Sequence, residues 1–154
     1  MTTSAASARQ RWIAVLACAE RGSLRALAEG AAANHSFDTL RAAETGLAMV
    51  RGRMDTGGDR FSLGEATLSR CAMSLRSAGM VTVGVGYHLG RDLERVRWMA
   101  QLDALLQHPL YQAELLRSVI DPLALETSQL RANEAASTET SRVEFFTLQT
   151  EAVR

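Results

Sequence analysis

The chain has 154 residues, 47% hydrophobic and 22% charged, which is the balance of a globular protein long enough to bury one real core. Its 17 basic residues equal its 17 acidic ones, so bulk charge gives no pull toward nucleic acid or an acidic membrane. All 17 basic residues are arginine, and the absence of lysine excludes a P-loop lysine, a Schiff-base lysine and a pyridoxal-phosphate lysine. His35, His88 and His108 form no HExxH and no Cys/His cluster, and no G-x-S-x-G elbow occurs. Cys18 and Cys71 match no metal or redox spacing and read as buried thiols. No apolar run approaches a membrane span, and Met1 to Arg9 lacks the apolar centre of a signal peptide, so a cytoplasmic location is expected.

Residues 9–20 read as an amphipathic helix, with Trp12, Val15, Leu16 and Ala19 on one face. Gly22 breaks it, and Ser23 caps a second helix carrying Leu24, Leu27, Ala28 and Ala31. Residues 34–38 are turn-like. The period then becomes two. Residues 45–54 form a strand with Leu47, Met49, Arg51 and Arg53 on one face and Ala48, Val50 and Gly52 on the other. A loop over 55–59 leads to a second strand, 66–76, with Cys71, Met73 and Leu75 opposite Arg70, Ala72 and Ser74. After a turn at Ser77-Ala78-Gly79, the third strand, 80–89, has a clean apolar face of Val81, Val83, Val85, Tyr87 and Leu89. Its other face carries Thr82, Gly84, Gly86 and His88. Asp92 caps a helix running to Gln107, and a further helix over 110–120 stops before Pro122.

Residues 126–141 have helical propensity but almost no apolar stripe, so that helix is poorly anchored on its own domain. It leads to an apolar tail, Val143, Phe145, Phe146 and Leu148, flanked by Arg142. Helices, an antiparallel meander of three to four strands and helices again define an α+β fold. Residues 1–125 are expected to be its single domain and 126–154 an extended C-terminal interaction arm.

Three groups invite chemistry. Arg51 and Arg53 share a strand face and suit a phosphate or a partner's carboxylate, although by themselves they read first as solvated arginines at an exposed strand end; Arg60, Arg70 and Arg91 would join them if the meander pairs in order. Gly84 and Gly86 leave a bare strand face, which marks close approach by a ligand or another backbone. Gly90-Arg91-Asp92 follows at a helix start where backbone N–H groups can hold an anion, although Asp92 as cap competes for the place. Asp103 falls on the apolar side of its helix between Val96 and Met99, with Gln107 one turn on; it is either a boundary aspartate that reaches water or a buried one, which then needs an arginine partner or a subunit contact. His88 is the histidine near the arginines and reads as structural.

These stretches resemble the PhnG family, whose members are subunits of the bacterial carbon–phosphorus lyase system. The likeness lies in Arg9-Gln10-x-Trp12, Arg41-Ala42-Ala43-Glu44-Thr45-Gly46-Leu47, Arg53, Arg60-Phe61 and Gly64-Glu65-Ala66-Thr67-Leu68-Ser69-Arg70. It continues through Leu89-Gly90-Arg91-Asp92, Asp103-Ala104-Leu105 with Gln107, and Ser141-Arg142-Val143-Glu144-Phe145-Phe146-Thr147. Residues 54–59 and 77–88 depart from the family pattern, and the tail after Leu148 lacks its V-R-G-[DE] ending.

The resemblance implies a non-catalytic subunit of a complex with subunits H, I and J, and with L, closest to the nucleosidase-like subunit I and present in two copies. That complex replaces the adenine of MgATP by an alkylphosphonate, giving ribose 1-methylphosphonate 5-triphosphate; a radical iron–sulfur subunit later cleaves the C–P bond. No cofactor or metal is expected on this chain, MgATP being a substrate of the complex. The expected recognition residues, for partner or phosphate, are Arg41, Glu44, Arg51, Arg53, Arg60, Glu65, Arg70, Arg91 and Asp103. The alternative is a free-standing cytosolic domain that binds small anions or proteins.

Overall fold

The computed structural model describes residues 2–54 and 58–140. The switch from helical to alternating and back to helical periodicity becomes three successive groups of elements: α1 (Thr2–Cys18) and α2 (Arg21–Ala32); β1 (Phe37–Arg53), β2 (Arg60–Ser77) and β3 (Met80–Leu89); then α3 (Leu93–Leu106), α4 (Pro109–Leu115) and α5 (Asp121–Thr140). The strands form one antiparallel sheet in the order β1-β2-β3, so the fold is α+β with helices on the N- and C-terminal sides. Residues 141–154, which contain the expected apolar tail Arg142, Val143, Phe145, Phe146 and Leu148, lie outside the described residues.

The apolar stripes of α1 and α2 meet α3. Trp12, Leu16, Ala19, Leu24 and Ala28 are buried with Met99, Leu102, Leu105 and Leu106 in the main core, and Leu75 joins them from the sheet. Cys71, Met73, Val96 and Ala100 form a smaller cluster between β2 and α3. Burying a large apolar side chain contributes about 1.5–3 kcal/mol, so α3, apolar on most of its circumference, is the helix around which the others are assembled.

Several boundaries differ from the sequence reading, each for a physical reason. The cap of α2 is Glu20, whose carboxylate accepts from Ser23 N at 2.8 Å, so Gly22 and Ser23 sit inside the first helical turn. β1 starts at Phe37 and not at residue 45, because register shifts between Thr39 and Arg41 and between Arg41 and Glu44 interrupt the two-residue period. β2 likewise starts at Arg60, six residues before the alternation becomes legible. Pro122 does not stop the helical course. A π-turn, Leu116–Ile120, closes with Asp121 N–H bonded to Leu116 O, and Pro122 then falls at the start of α5, where its missing N–H is tolerated. Of the two thiols, Cys71 is buried but Cys18 is exposed.

On β3 the structure shows the close backbone approach that Gly84 and Gly86 suggest, and it decides which face is inside. The apolar face is not the one against the helices. The bare face is: a Cβ on Gly84 would come within 1.9 Å of Ala100 O, and one on Gly86 within 2.0 Å of Val96 O. Thr82 on the same face donates to Ala104 O at 2.8 Å. Backbone of α3 lies directly on backbone of β3, a contact closed to any side chain, and the Val81–Leu89 face points to solvent. Beyond Leu89, which pairs with Leu68, β1 and β2 continue alone as a two-stranded ribbon out to Arg53 opposite Arg60.

Gly84→Ala and Gly86→Ala should each destabilise the domain by about 3 kcal/mol, the upper end of overpacking costs, because the clashing atoms are main chain. Gly46→Ala, with nothing within 4 Å of the added carbon, is the matched control and should be near neutral. Urea unfolding of the three variants would check this; two midpoints as unperturbed as the control's would refute the backbone contact.

Candidate functional site

Asp103 is fully buried, yet its two oxygens are saturated. Arg9 grips them in a fork, Nε to Oδ1 at 3.2 Å and Nη2 to Oδ2 at 2.7 Å. Trp12 Nε1 donates to Oδ1 at 2.9 Å, and Val85 N and Gln107 Nε2 donate to Oδ2 at 2.9 and 3.2 Å. One carboxylate thus joins α1, α3 and β3. Its partners are within the chain, and its acceptor sites are occupied. The same group closes the outer edge of β3: Val85 N–H is held by Asp103, while Val83 O accepts from Arg9 Nη2 at 3.3 Å and Gln107 Nε2 at 2.7 Å. Main-chain groups so occupied cannot pair with another strand.

A second ionic centre lies at the junction of α1, α2 and α3. Arg95 is buried and donates through Nη1 and Nη2 to Ala19 O, at 3.0 and 3.1 Å, and through Nη1 to Ala17 O at 3.2 Å. It thereby satisfies the terminal carbonyls of α1 with a positive charge at the helix end where the dipole favours one. Asp92 caps α3, accepting from Arg95 N at 3.0 Å, and receives Arg21 Nε at 2.9 Å. Burial pushes the Asp92 carboxyl up, but the Arg95 N–H and the Arg21 guanidinium outweigh it and hold it below its ordinary range. Arg21 also pairs with Glu94 and lies 5.3 Å above the Trp98 ring. The start of α3 is therefore filled by its own carboxylate. Arg91, beside it, is exposed.

His88 borders this centre. Burial holds its imidazole below the usual range, the positive charge of Arg95 adds to that, and Asp92 and a hydrogen bond with Ala17 oppose it.

The third centre is on the outer face of the sheet. Register places Tyr87, Arg70 and Glu44 in one row across β3, β2 and β1. Arg70 Nε donates to Glu44 Oε1 at 2.8 Å, and Arg41 Nη1 donates to the same oxygen at 3.0 Å. The Arg70 hydrogen bond, then its charge, keeps the exposed Glu44 carboxyl low.

Of the residues singled out in the sequence, Arg41, Glu44 and Arg70 come together. Arg53 and Arg60 form a different group, paired at the far end of the ribbon with Arg51 opposite Ser62 and Glu65 opposite Met49. Arg60 and Arg70 are ten residues apart on one strand, about 30 Å at the strand rise, so the arginines do not make one surface. Sequence reading missed Arg95, Arg21 and Arg9 as functional groups. The signal for Arg95 was its spacing from Met99 and Leu102 at i+4 and i+7, which places it on the apolar side of α3. Among the described residues, no three of His, Cys, Asp and Glu are grouped to hold a metal ion, and no helix is long and apolar enough to cross a membrane.

The fold and these centres define an α+β domain held together by buried arginine–carboxylate and arginine–carbonyl contacts, with an open sheet face that bears arginines. The chain belongs to the phosphonate metabolism protein PhnG family, whose model matches residues 7–150. It is 39% identical over 109 residues to the protein named alpha-D-ribose 1-methylphosphonate 5-triphosphate synthase subunit PhnG of Rhizobium meliloti (strain 1021). That alignment covers 71% of this chain and 67% of the relative.

Two outcomes follow from the geometry. Asp103→Ala leaves a buried N–H of Val85, the Trp12 indole and the Arg9 guanidinium without their acceptor; about 3 kcal/mol should be lost in urea unfolding, while a loss under 1 kcal/mol would show that the node is dispensable. For His88 the folded value lies below the unfolded one of about 6.5, so its contribution is complete above that pH and is lost as pH falls through the lower folded value. Between pH 7.5 and 5 the wild-type melting temperature should therefore fall further than that of His88→Asn. Parallel curves would remove His88 from the account.

Proposed function

We propose that this chain is a subunit of the alpha-D-ribose 1-methylphosphonate 5-triphosphate synthase of the carbon–phosphorus lyase core complex, in organic phosphonate catabolism. It supports transfer of the ribose triphosphate of MgATP to an alkylphosphonate with release of adenine, and it contributes no catalytic group of its own. Its partners are the H, I and J subunits, with L; it lies closest to the nucleosidase-like subunit I, two copies enter the complex, and the assembly is cytoplasmic. The observation that carries this reading is the family match, which runs through residues 7–150, taken with a relative that is itself named as a synthase subunit.

The chemistry of the side chains supports the non-catalytic part. A general base or nucleophile needs a free acceptor within reach of substrate. Asp103 is saturated and buried, Asp92 is a helix cap tied to Arg21, and Glu44 is shared by two guanidiniums. Burial raises the Cys71 thiol, which donates to Arg41 O at 3.4 Å, so it is a poor source of thiolate. MgATP is then bound by the other subunits, with no cofactor on this one. The arginines are the groups suited to recognition, through bidentate pairing with carboxylate or phosphate.

Adenine release from MgATP plus methylphosphonate tests the proposal. The purified chain alone should be silent, and the co-expressed subunits should lose most of their rate when this chain is left out. Adenine release by the chain alone that persists through repeated purification, or an unchanged rate without it, would overturn the reading.

A further inference from the structure

We propose that the sheet face turned away from the helices is the docking surface for a partner protein whose own surface is apolar with a carboxylate at its centre. The inference rests on the reading of this chain as a subunit, and it names the surface and the chemistry of the contact.

Val81, Val83, Tyr87 and Leu89 are 52%, 42%, 48% and 64% exposed, although they are the apolar face of their strand. The cause lies on the other side of β3, where only glycine admits the backbone of α3, so the large residues can project only outward. The strip continues across the sheet: Leu89 pairs with Leu68, and Val85 with Ala72. No described element covers it. A contiguous apolar strip of this kind on a sheet marks an interaction site. A sheet face offers breadth, which suits a protein surface more than a small molecule.

The charge in the middle of the strip decides the partner's chemistry. Arg70 and Arg41 both donate to one oxygen of Glu44, so two cations face a single anion and one positive charge is left uncompensated in this cluster. Both guanidiniums are about half exposed, at 45% and 50%, and their other N–H groups bond to no described residue. A carboxylate from above completes the balance, and an apolar surround that excludes water strengthens the pairing. Tyrosine and arginine set among aliphatic groups are the residue types that dominate interface energetics. The partner lies on the face and not alongside β3, because Asp103, Arg9 and Gln107 occupy the β3 edge at Val83 and Val85.

The test uses the complex. The chain is co-expressed with the H, I and J subunits, the assembly is captured through a tag on subunit I, and this chain is quantified by native mass spectrometry. Val83→Asp and Tyr87→Asp should lower its incorporation about tenfold or more, the first because it buries an unpaired carboxylate beside apolar groups, the second because its carboxylate, opposite Arg70, takes the place of the partner's. The isolated variants should melt within a few degrees of wild type, both positions being exposed; Leu89→Gln replaces either one that fails to fold. Arg70→Lys, which keeps the charge but cannot pair bidentately with a carboxylate, should lower incorporation less.

Wild-type incorporation of folded Val83→Asp and Tyr87→Asp would overturn the surface while leaving the functional reading intact. Failure of the wild-type chain to enter the assembly would overturn the functional reading and the surface with it. A dimer of the isolated chain that Val83→Asp converts to a monomer would assign the face to a second copy, and loss of binding to phosphatidylserine-containing vesicles in that variant would assign it to a membrane; either result overturns the proposed partner.

Discussion

A single buried carboxylate sets the relation between the sheet and the helices. Placing Asp103 out of water is costly unless its lone pairs are met, and they are met by donors from three elements: Arg9 and Trp12 of α1, Val85 of β3 and Gln107 at the end of α3. Each element is thereby held at one distance and one rotation to the others. The fork of Arg9 fixes α1 along the edge of the sheet, and the Val85 hydrogen bond fixes the register of α3 on β3. With that register, Val96, Ala100 and Ala104 come over Gly86, Gly84 and Thr82.

The close contact so produced explains the distribution of apolar residues over the sheet. β2 turns Cys71, Met73 and Leu75 inward, opposite Gly86, Gly84 and Thr82 of β3. The inner layer is therefore thick on β2 and almost absent on β3, where the backbone of α3 lies against the strand. Large residues on the outer face of β3 contribute nothing to the intrachain core. Among the described residues no element covers them.

A chain with arginine as its sole basic residue uses it in two physically distinct ways. Arg95 is buried and Arg9 partly so, reaching the buried Asp103 from the rim; there a planar, weakly hydrated cation with fixed donor geometry can serve a carboxylate or several carbonyls at once. Lysine, a strongly hydrated point charge, cannot fork across Asp103 or reach both Ala17 O and Ala19 O. Arg41 and Arg70 remain half in water, where an ion pair by itself stabilises little, so their arrangement around Glu44 matters for recognition more than for folding.

Local sequence by itself determined the fold class, the order of elements and the inner faces of α1, α2 and β2, because Trp12, Leu16 and Leu24 or Cys71, Met73 and Leu75 carry their period in the chain. It also placed Asp103 on the apolar side of α3, where a carboxylate requires a partner if it is buried, and the burial itself came from the structure. Only the tertiary structure decided which face of β3 is inside: alternation shows that two faces differ, but burial depends on whether the opposing element arrives as side chains or as backbone. The identity of the donors to Asp103, some ninety residues away in Arg9 and Trp12, was likewise settled by packing, as was the strand over 37–44, whose bulges hide its period and whose pairing with β2 overrides the helical propensity of its alanines.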